Sequence, residues 1–125
     1  MDYKEKQMEL IKQYNVTLDE HSSCWKRTHA HYDGTRRICK HIPANSYKSL
    51  FTLLHEIGHL ETDKKGMKRC EQESEATRWA VEQLRGMGLK IKQSILKRYK
   101  EYTRMTYDRG MRRGLSKKVK SKLYM

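Results

Sequence analysis

The sequence predicts a small α+β domain, in which a β-hairpin or short sheet packs on helices and a basic helix follows. Residues 46–60 and 71–85 repeat apolar side chains at three- and four-residue spacing, which is typical of helices with one buried face. Between residues 21 and 42, an Asp33-Gly34 turn signal separates two segments of strand character, as in a hairpin. The last third of the chain is rich in Lys and Arg and again has helical spacing.

The charge is divided unevenly along the chain. The 125 residues hold 28 Lys and Arg against 15 Asp and Glu, a net charge of +13. Residues 1–89 hold 15 basic and 13 acidic residues, whereas residues 90–125 hold 13 basic and 2 acidic ones. We therefore expect two parts: a near-neutral zinc domain at 1–89 and a basic helical C-terminal extension at 90–125.

The composition predicts a cytoplasmic protein that makes no membrane contact. With 36% hydrophobic and 34% charged residues, the core must be modest, and a bound metal would help to stabilise it. No apolar run approaches 18 residues, which excludes a transmembrane helix, and the charged N-terminus lacks the apolar region of a signal peptide. Three cysteines, an odd number, suit a reducing compartment.

The first elements are a helix and the hairpin. An amphipathic helix is expected at residues 3–14, with Asn15 as its stop. The hairpin stretch contains several possible metal ligands. Their spacing fits no compact zinc pattern, and strand alternation sends neighbours to opposite faces. We therefore favour packed cysteines and partly exposed histidines over a second zinc site for His21, Cys24, His29, His31, Cys39 and His41.

The strongest functional signal is the H-E-x-x-H pattern of His55, Glu56 and His59. On a helix, residues four apart share a face, so the two imidazoles converge as half of a tetrahedral zinc site. Glu56 projects beside them and can take a proton from a water that the ion holds. Ser46 or Asn45 can cap the first turn of this helix, which we expect to span about residues 46–60.

A catalytic zinc needs a third protein ligand, and the helix expected at 71–85 offers three acids. A polar loop is expected before it at 61–70, and Gly86 and Gly88 end it. Glu73 is preferred, because a carboxylate on an inward face is costly unless it is paired or bound to metal. Its face is a small, apolar stripe of Ala76, Thr77, Ala80 and Leu84. Glu75 is the alternative, and Glu71 suits a helix-start acid.

Three features follow one another along the chain: the predicted hairpin, the H-E-x-x-H pattern, and a second motif on the next predicted helix. The second motif is Glu73-Ser74-Glu75-Ala76-Thr77-Arg78-Trp79-Ala80. Over roughly residues 20–86 the chain resembles the ImmA/IrrE family of small zinc metallopeptidases. That family's second motif is of the form E-x-x-A-(N/D)-x-(F/W)-A, and its first Glu, the third zinc ligand, falls on Glu73. Thr77 stands where the family usually has Asn or Asp. In the family that side chain contacts a histidine ligand of the metal, and the hydroxyl of Thr77 could replace this contact.

The resemblance implies a zincin-like fold and cleavage of a regulatory protein, such as a phage or mobile-element repressor that can be DNA-bound. We expect Zn²⁺ on His55, His59 and Glu73, with Glu56 as the catalytic proton acceptor. This donor set suits zinc best, although manganese, iron or cobalt can occupy such a site. No single oxyanion donor is favoured among Tyr47, His31 and Tyr99.

The basic tail is expected to form a helix over residues 90–107, with breaks at Gly110 and Gly114. Its charges are either a solvated face or a contact surface for nucleic acid or an acidic partner. The candidate contact residues are Lys97, Arg98, Arg104, Arg109, Arg112, Arg113, Lys117 and Lys118.

Two rival functions remain open from the sequence. In the first, the zinc is structural and the protein is a nucleic-acid-binding module that uses the tail. In the second, the chain is a non-catalytic phage-type protein that binds a partner without cutting it. A combination is also coherent, in which the tail brings the peptidase to a DNA-bound regulator.

Overall fold

The computed structural model describes residues 1–19, 29–32, 36–39 and 44–125. These residues divide into two compact units, 1–60 and 61–125. The division after Leu60 falls two residues before the end of the helix Tyr47–Thr62, and it separates two groups of residues that pack mainly among themselves. The functional division that we expect after residue 89 stays a prediction.

The molecule is mostly helical, so the α+β class predicted from the sequence is wrong. The described residues form α-helices of 11, 16, 18 and 20 residues and one six-residue 3-10 helix. The three strands have only three or four residues each and form a minor sheet rather than one half of the fold. The turn signal led to the wrong class, because it marks strand pairing without showing how few residues pair.

Helix α1 spans Tyr3–Gln13, which confirms the first predicted helix. Its start is capped by Asp2, whose Oδ1 accepts a hydrogen bond from the Glu5 amide at 3.1 Å. At its end, Asn15 has the left-handed φ of 52°, and the Val16 amide bonds back to the Ile11 carbonyl at 3.0 Å. Asn is one of the few residues that adopt this conformation readily, so it stops the helix as expected.

The short sheet contains β1 (Thr17–Asp19), β2 (His29–Tyr32) and β3 (Arg36–Cys39) in the order β1-β3-β2. β3 pairs in parallel with β1 and antiparallel with β2, where His29 lies opposite Cys39. The predicted Asp33-Gly34 turn lies outside the described residues, as do His21, Cys24 and His41. The packing expected for the hairpin cysteines and histidines therefore stays a prediction.

Helix α2 spans Tyr47–Thr62 and carries the H-E-x-x-H motif. Its N-terminus is closed by two serines that bond reciprocally: the Ser49 amide donates to Ser46 Oγ at 3.2 Å, and the Ser46 amide donates to Ser49 Oγ at 3.1 Å. Five apolar side chains of this helix are fully buried: Leu50, Phe51, Leu53, Leu54 and Ile57. The helix is thus part of the core, which fixes the position of the motif residues.

Helices α3 (Arg69–Gly86) and α4 (Gln93–Arg112) pack against each other in the second unit. α3 starts two residues before the predicted helix, so the predicted loop at 61–70 is shorter than expected. α3 ends at Gly86, and two residues later Gly88 has φ +77°, where the Leu89 amide bonds back to the Leu84 carbonyl at 3.0 Å. This is the glycine-dependent helix end that the sequence predicts.

Helix α4 continues through Gly110, so the predicted break at that residue is wrong. A Cβ at Gly110 would lie 2.9 Å from Leu115 Cδ2, so the glycine lets the Leu115 side chain pack closely against the helix. The break occurs instead at Gly114, with φ +91° and a bond from the Leu115 amide to the Gly110 carbonyl at 2.8 Å. A 3-10 helix, Lys117–Lys122, follows.

The C-terminus folds back on α3 within the second unit. The Tyr124 amide donates to the buried Ser74 Oγ at 2.8 Å, and Arg78 donates to the Lys122 carbonyl at 3.2 Å. The Lys100 ammonium also lies 4.4 Å from the centre of the Tyr124 ring. These contacts order the tail after the 3-10 helix.

Among the residues that the structure describes, no helix combines the length and the apolar character that crossing a membrane requires.

Candidate metal centre

The two histidines of the motif face each other on α2. Their ring centroids are 4.7 Å apart and the rings are perpendicular, as expected for residues separated by about one helical turn. His55 is buried and His59 is half-buried. The helix therefore presents two imidazoles from one face, one of them with limited access to solvent.

The three acids of α3 have three different environments. The side chain of Glu73 is only 3% exposed and pairs with Arg69, whereas that of Glu75 is 38% exposed and pairs with Arg78 at 2.7 Å. Glu71 accepts a hydrogen bond from the Lys68 amide at 2.9 Å, as a helix-start acid does. Glu73 is thus the buried carboxylate that the face of the helix predicts.

His55, His59 and Glu73 form a group that could hold a metal ion, since the ligand atoms they offer all lie within 4.8 Å of one another. Two imidazoles and a carboxylate are a known donor set for catalytic zinc, with ligand distances of about 2.0–2.2 Å. Tetrahedral geometry at those distances places ligand atoms about 3.4 Å apart. The group as it stands, with atoms up to 4.8 Å apart, is wider than that, and the fit to the ion rests on the chemistry of its donors, two imidazoles and one carboxylate.

Glu56 lies beside this group without belonging to it. Its Oε1 is 3.7 Å from His55 Nδ1, and the residue is buried. Its other oxygen, Oε2, is buried and has no hydrogen-bond partner among the described residues. A buried carboxylate oxygen without a donor is costly for stability, and it is suited to accept a proton from a reactant.

Arg69 is a site residue that the sequence analysis missed. Its Nη2 lies 3.1 Å from Glu73 Oε1 and 3.4 Å from the hydroxyl of Tyr102. Partial burial lowers the pKa of Arg69, but the hydrogen bond to Tyr102 and the charge of Glu73 outweigh it, so the pKa is raised. The i, i+4 spacing to Glu73 was a usable signal, but residue 69 fell within the predicted loop.

The other candidates are spread over the described chain. Tyr47 is buried at the start of α2 and Tyr99 is half-buried on α4, while the side chain of His31 lies outside the description. The predicted contact residues of the tail lie on α4, just after it, and on the 3-10 helix, and all of them are exposed.

Cys70 is buried, and this burial raises the pKa of its thiol, which disfavours the thiolate that metals bind.

The chain matches no protein-family model, and neither the curated proteins nor the solved structures include one that is significantly similar to it.

Proposed function

We propose that this chain is a zinc-dependent metallopeptidase of the ImmA/IrrE type that cleaves a regulatory protein, such as a phage or mobile-element repressor. The observation that carries the proposal is the convergence of His55, His59 and Glu73 within 4.8 Å. The substrate class is taken from the motif resemblance, and the reaction from the chemistry of the residues at the site.

The chain supplies the groups that hydrolysis needs. His55, His59 and Glu73 would hold the ion and leave one position open. When bound, zinc lowers the pKa of a water molecule and polarises the scissile carbonyl. Glu56 would take a proton from the attacking water and pass it to the leaving amine. Its Oε2, which no described residue donates to, is the oxygen suited to this transfer.

A structural role for the ion is less well supported. Structural zinc sites usually have four protein ligands, whereas catalytic sites have three and an open position. Among the described residues the group offers three ligands. A structural site would also not explain why Glu56 is buried next to His55 with one oxygen unsatisfied.

The test is to compare zinc-loaded wild type with Glu56→Gln on a proteome-derived peptide library, with new N-termini identified by mass spectrometry. The variant keeps the size of the side chain but removes the proton acceptor. We expect normal zinc content and a loss of cleavage of about 10²–10⁴-fold. Glu61→Gln is the matched control, because Glu61 is an exposed glutamate of the same helix.

Two results would contradict this function. One is equal cleavage by wild type and Glu56→Gln, which would point to a contaminating protease. The other is an absence of cleavage by zinc-loaded wild type together with tight capture of an uncut protein, which would favour the non-catalytic binding protein.

A further inference from the structure

One side of α4 is an exposed, strongly basic surface, which we call the cationic face. It consists of Lys97, Arg98, Arg104, Arg109, Arg112 and the following Arg113, all of them exposed. At about 100° per residue, these positions cover roughly half of the helix circumference. The opposite side packs into the second unit through the buried Leu96, Thr103 and Thr106.

The charges of the cationic face are largely unneutralised. In the described part of the chain, the ion pair recorded on this face joins Lys97 to Glu101, at the long distance of 4.0 Å. The five arginines form no ion pair or side-chain hydrogen bond with other described residues. Glu101 and Asp108, the two acids of α4, fall within the same half of the helix, so the six cations and two acids leave this face a net charge of +4. No acid follows in residues 113–125, where four exposed lysines lie on the 3-10 helix.

The face is long compared with a single anionic group. From Lys97 to Arg112 it extends about 22 Å at 1.5 Å per residue. Duplex DNA carries one charge per about 1.7 Å of axis, so this length matches about a dozen phosphate charges. A partner that neutralises the whole face must therefore be an extended polyanion.

The side chains on the face favour nucleic acid over an acidic protein. Protein interfaces have an apolar core, but the exposed large hydrophobic residues here are only Tyr102 and Met105 among the described positions of α4. Protein–DNA interfaces are more polar and far more positive. Five of the six cations of the face are arginines, whose planar guanidinium group matches phosphate oxygens in a bidentate manner.

The same face favours a duplex over a single strand. Single-strand binding uses several aromatic side chains on which successive bases stack. The face offers one, Tyr102, whose hydroxyl is already bonded to Arg69. A helix that is basic over half of its circumference can instead lie along the phosphates that border a groove about 12 Å wide.

We propose that the cationic face is a docking surface for duplex DNA, which it binds mainly through the phosphate backbone. The inference is independent of the proposed peptidase activity, because none of the six residues belongs to the metal group. If both hold, DNA binding would place the peptidase near regulators that are themselves bound to DNA.

The test compares the full-length triple variant Arg98→Gln, Arg109→Gln, Arg112→Gln with Lys12→Gln, Lys64→Gln, Lys65→Gln. Both variants lose three exposed cations, so their net charge is equal. Binding to a labelled mixed-sequence duplex of about 20 base pairs is followed by fluorescence anisotropy between about 50 and 200 mM salt. We expect the α4 variant to bind about tenfold or more weakly, with a salt slope shallower by about three, and the control to resemble wild type.

Three results would overturn the proposal. Equal losses in the two variants would show that net charge alone drives binding. Tighter binding to a single strand of the same length would exclude the duplex as the preferred partner. Binding of polyglutamate as tight as that of DNA, lost in the same α4 variant, would identify an acidic protein surface instead. Circular dichroism of each variant distinguishes these outcomes from unfolding.

Discussion

Arg69 and Glu73 form an ion pair one helical turn apart in α3, with 3.1 Å between Arg69 Nη2 and Glu73 Oε1. The same guanidinium lies 3.4 Å from the Tyr102 hydroxyl on α4. The acid is almost fully buried, so it needs a partner even when no ion is bound. Because this pair orients the buried carboxylate, Arg69 would act as a positioning residue for Glu73 as the proposed third ligand.

Arg69→Ala should therefore weaken zinc binding. Outer partners that orient a ligand typically contribute a factor of about 10–100 to metal affinity, and we expect a loss in that range. The matched control is Arg78→Ala, which removes an ion pair to Glu75 on the same helix. Competition with a chromogenic chelator measures both affinities. Equal zinc affinity of wild type and Arg69→Ala would show that Arg69 does not position Glu73.

The choice between Glu73 and Glu75 leads to a second prediction. Glu73→Ala should reduce the zinc content well below about one ion per chain, because it removes a ligand. Glu75→Ala should leave the content unchanged, since Glu75 is partly exposed and its carboxylate is already paired with Arg78. Elemental analysis of the purified proteins measures both. Zinc lost in Glu75→Ala but kept in Glu73→Ala would reverse the assignment.

The sequence predicted the helices that carry the site better than it predicted the fold class. Apolar spacing located α2 and α3, and the face argument for Glu73 agrees with its burial. Helix ends were less certain, because polar residues such as Arg69 fit a loop or a first turn equally well. The sequence predicts a break at Gly110, because the pattern of residues alone does not reveal that Leu115 packs against this glycine. The cation-rich Lys97–Arg113 segment was identified, but its exposed side depends on packing against α3.

The end of α3 offers a pair of glycines whose substitutions should have opposite effects on stability. A Cβ at Gly86 or at Gly88 would meet no atom within 4 Å, so packing does not distinguish them. Gly88 has φ +77°, whereas Gly86 is helical. We expect Gly86→Ala to raise the free energy of unfolding by about 0.5–1 kcal/mol and Gly88→Ala to lower it by about 1–2 kcal/mol. Urea unfolding measures both, and a stabilised Gly88→Ala would contradict the left-handed helix end.

Thr77 and Thr103 are both fully buried threonines in helices, but their hydroxyl groups differ. Thr103 donates to the Tyr99 carbonyl at 3.1 Å, whereas Thr77 Oγ1 has no hydrogen-bond partner among the described residues. A buried hydroxyl without a partner keeps its desolvation cost and gains nothing in return. The unsatisfied hydroxyl therefore lowers the stability of α3, the helix on which Glu73 lies four residues before Thr77.

Thr77→Val should therefore stabilise the metal-free protein, because it replaces the unsatisfied hydroxyl with a methyl group of similar size. We expect the free energy of unfolding to rise by about 1 kcal/mol. Thr103→Val is the matched control and should lower it by about 0.5–1.5 kcal/mol, since it removes a hydrogen bond that exists. Chelator-treated proteins are compared by urea unfolding. A destabilised Thr77→Val would mean that the hydroxyl bonds a group in solution, and Thr77 would then have a structural role beside Glu73.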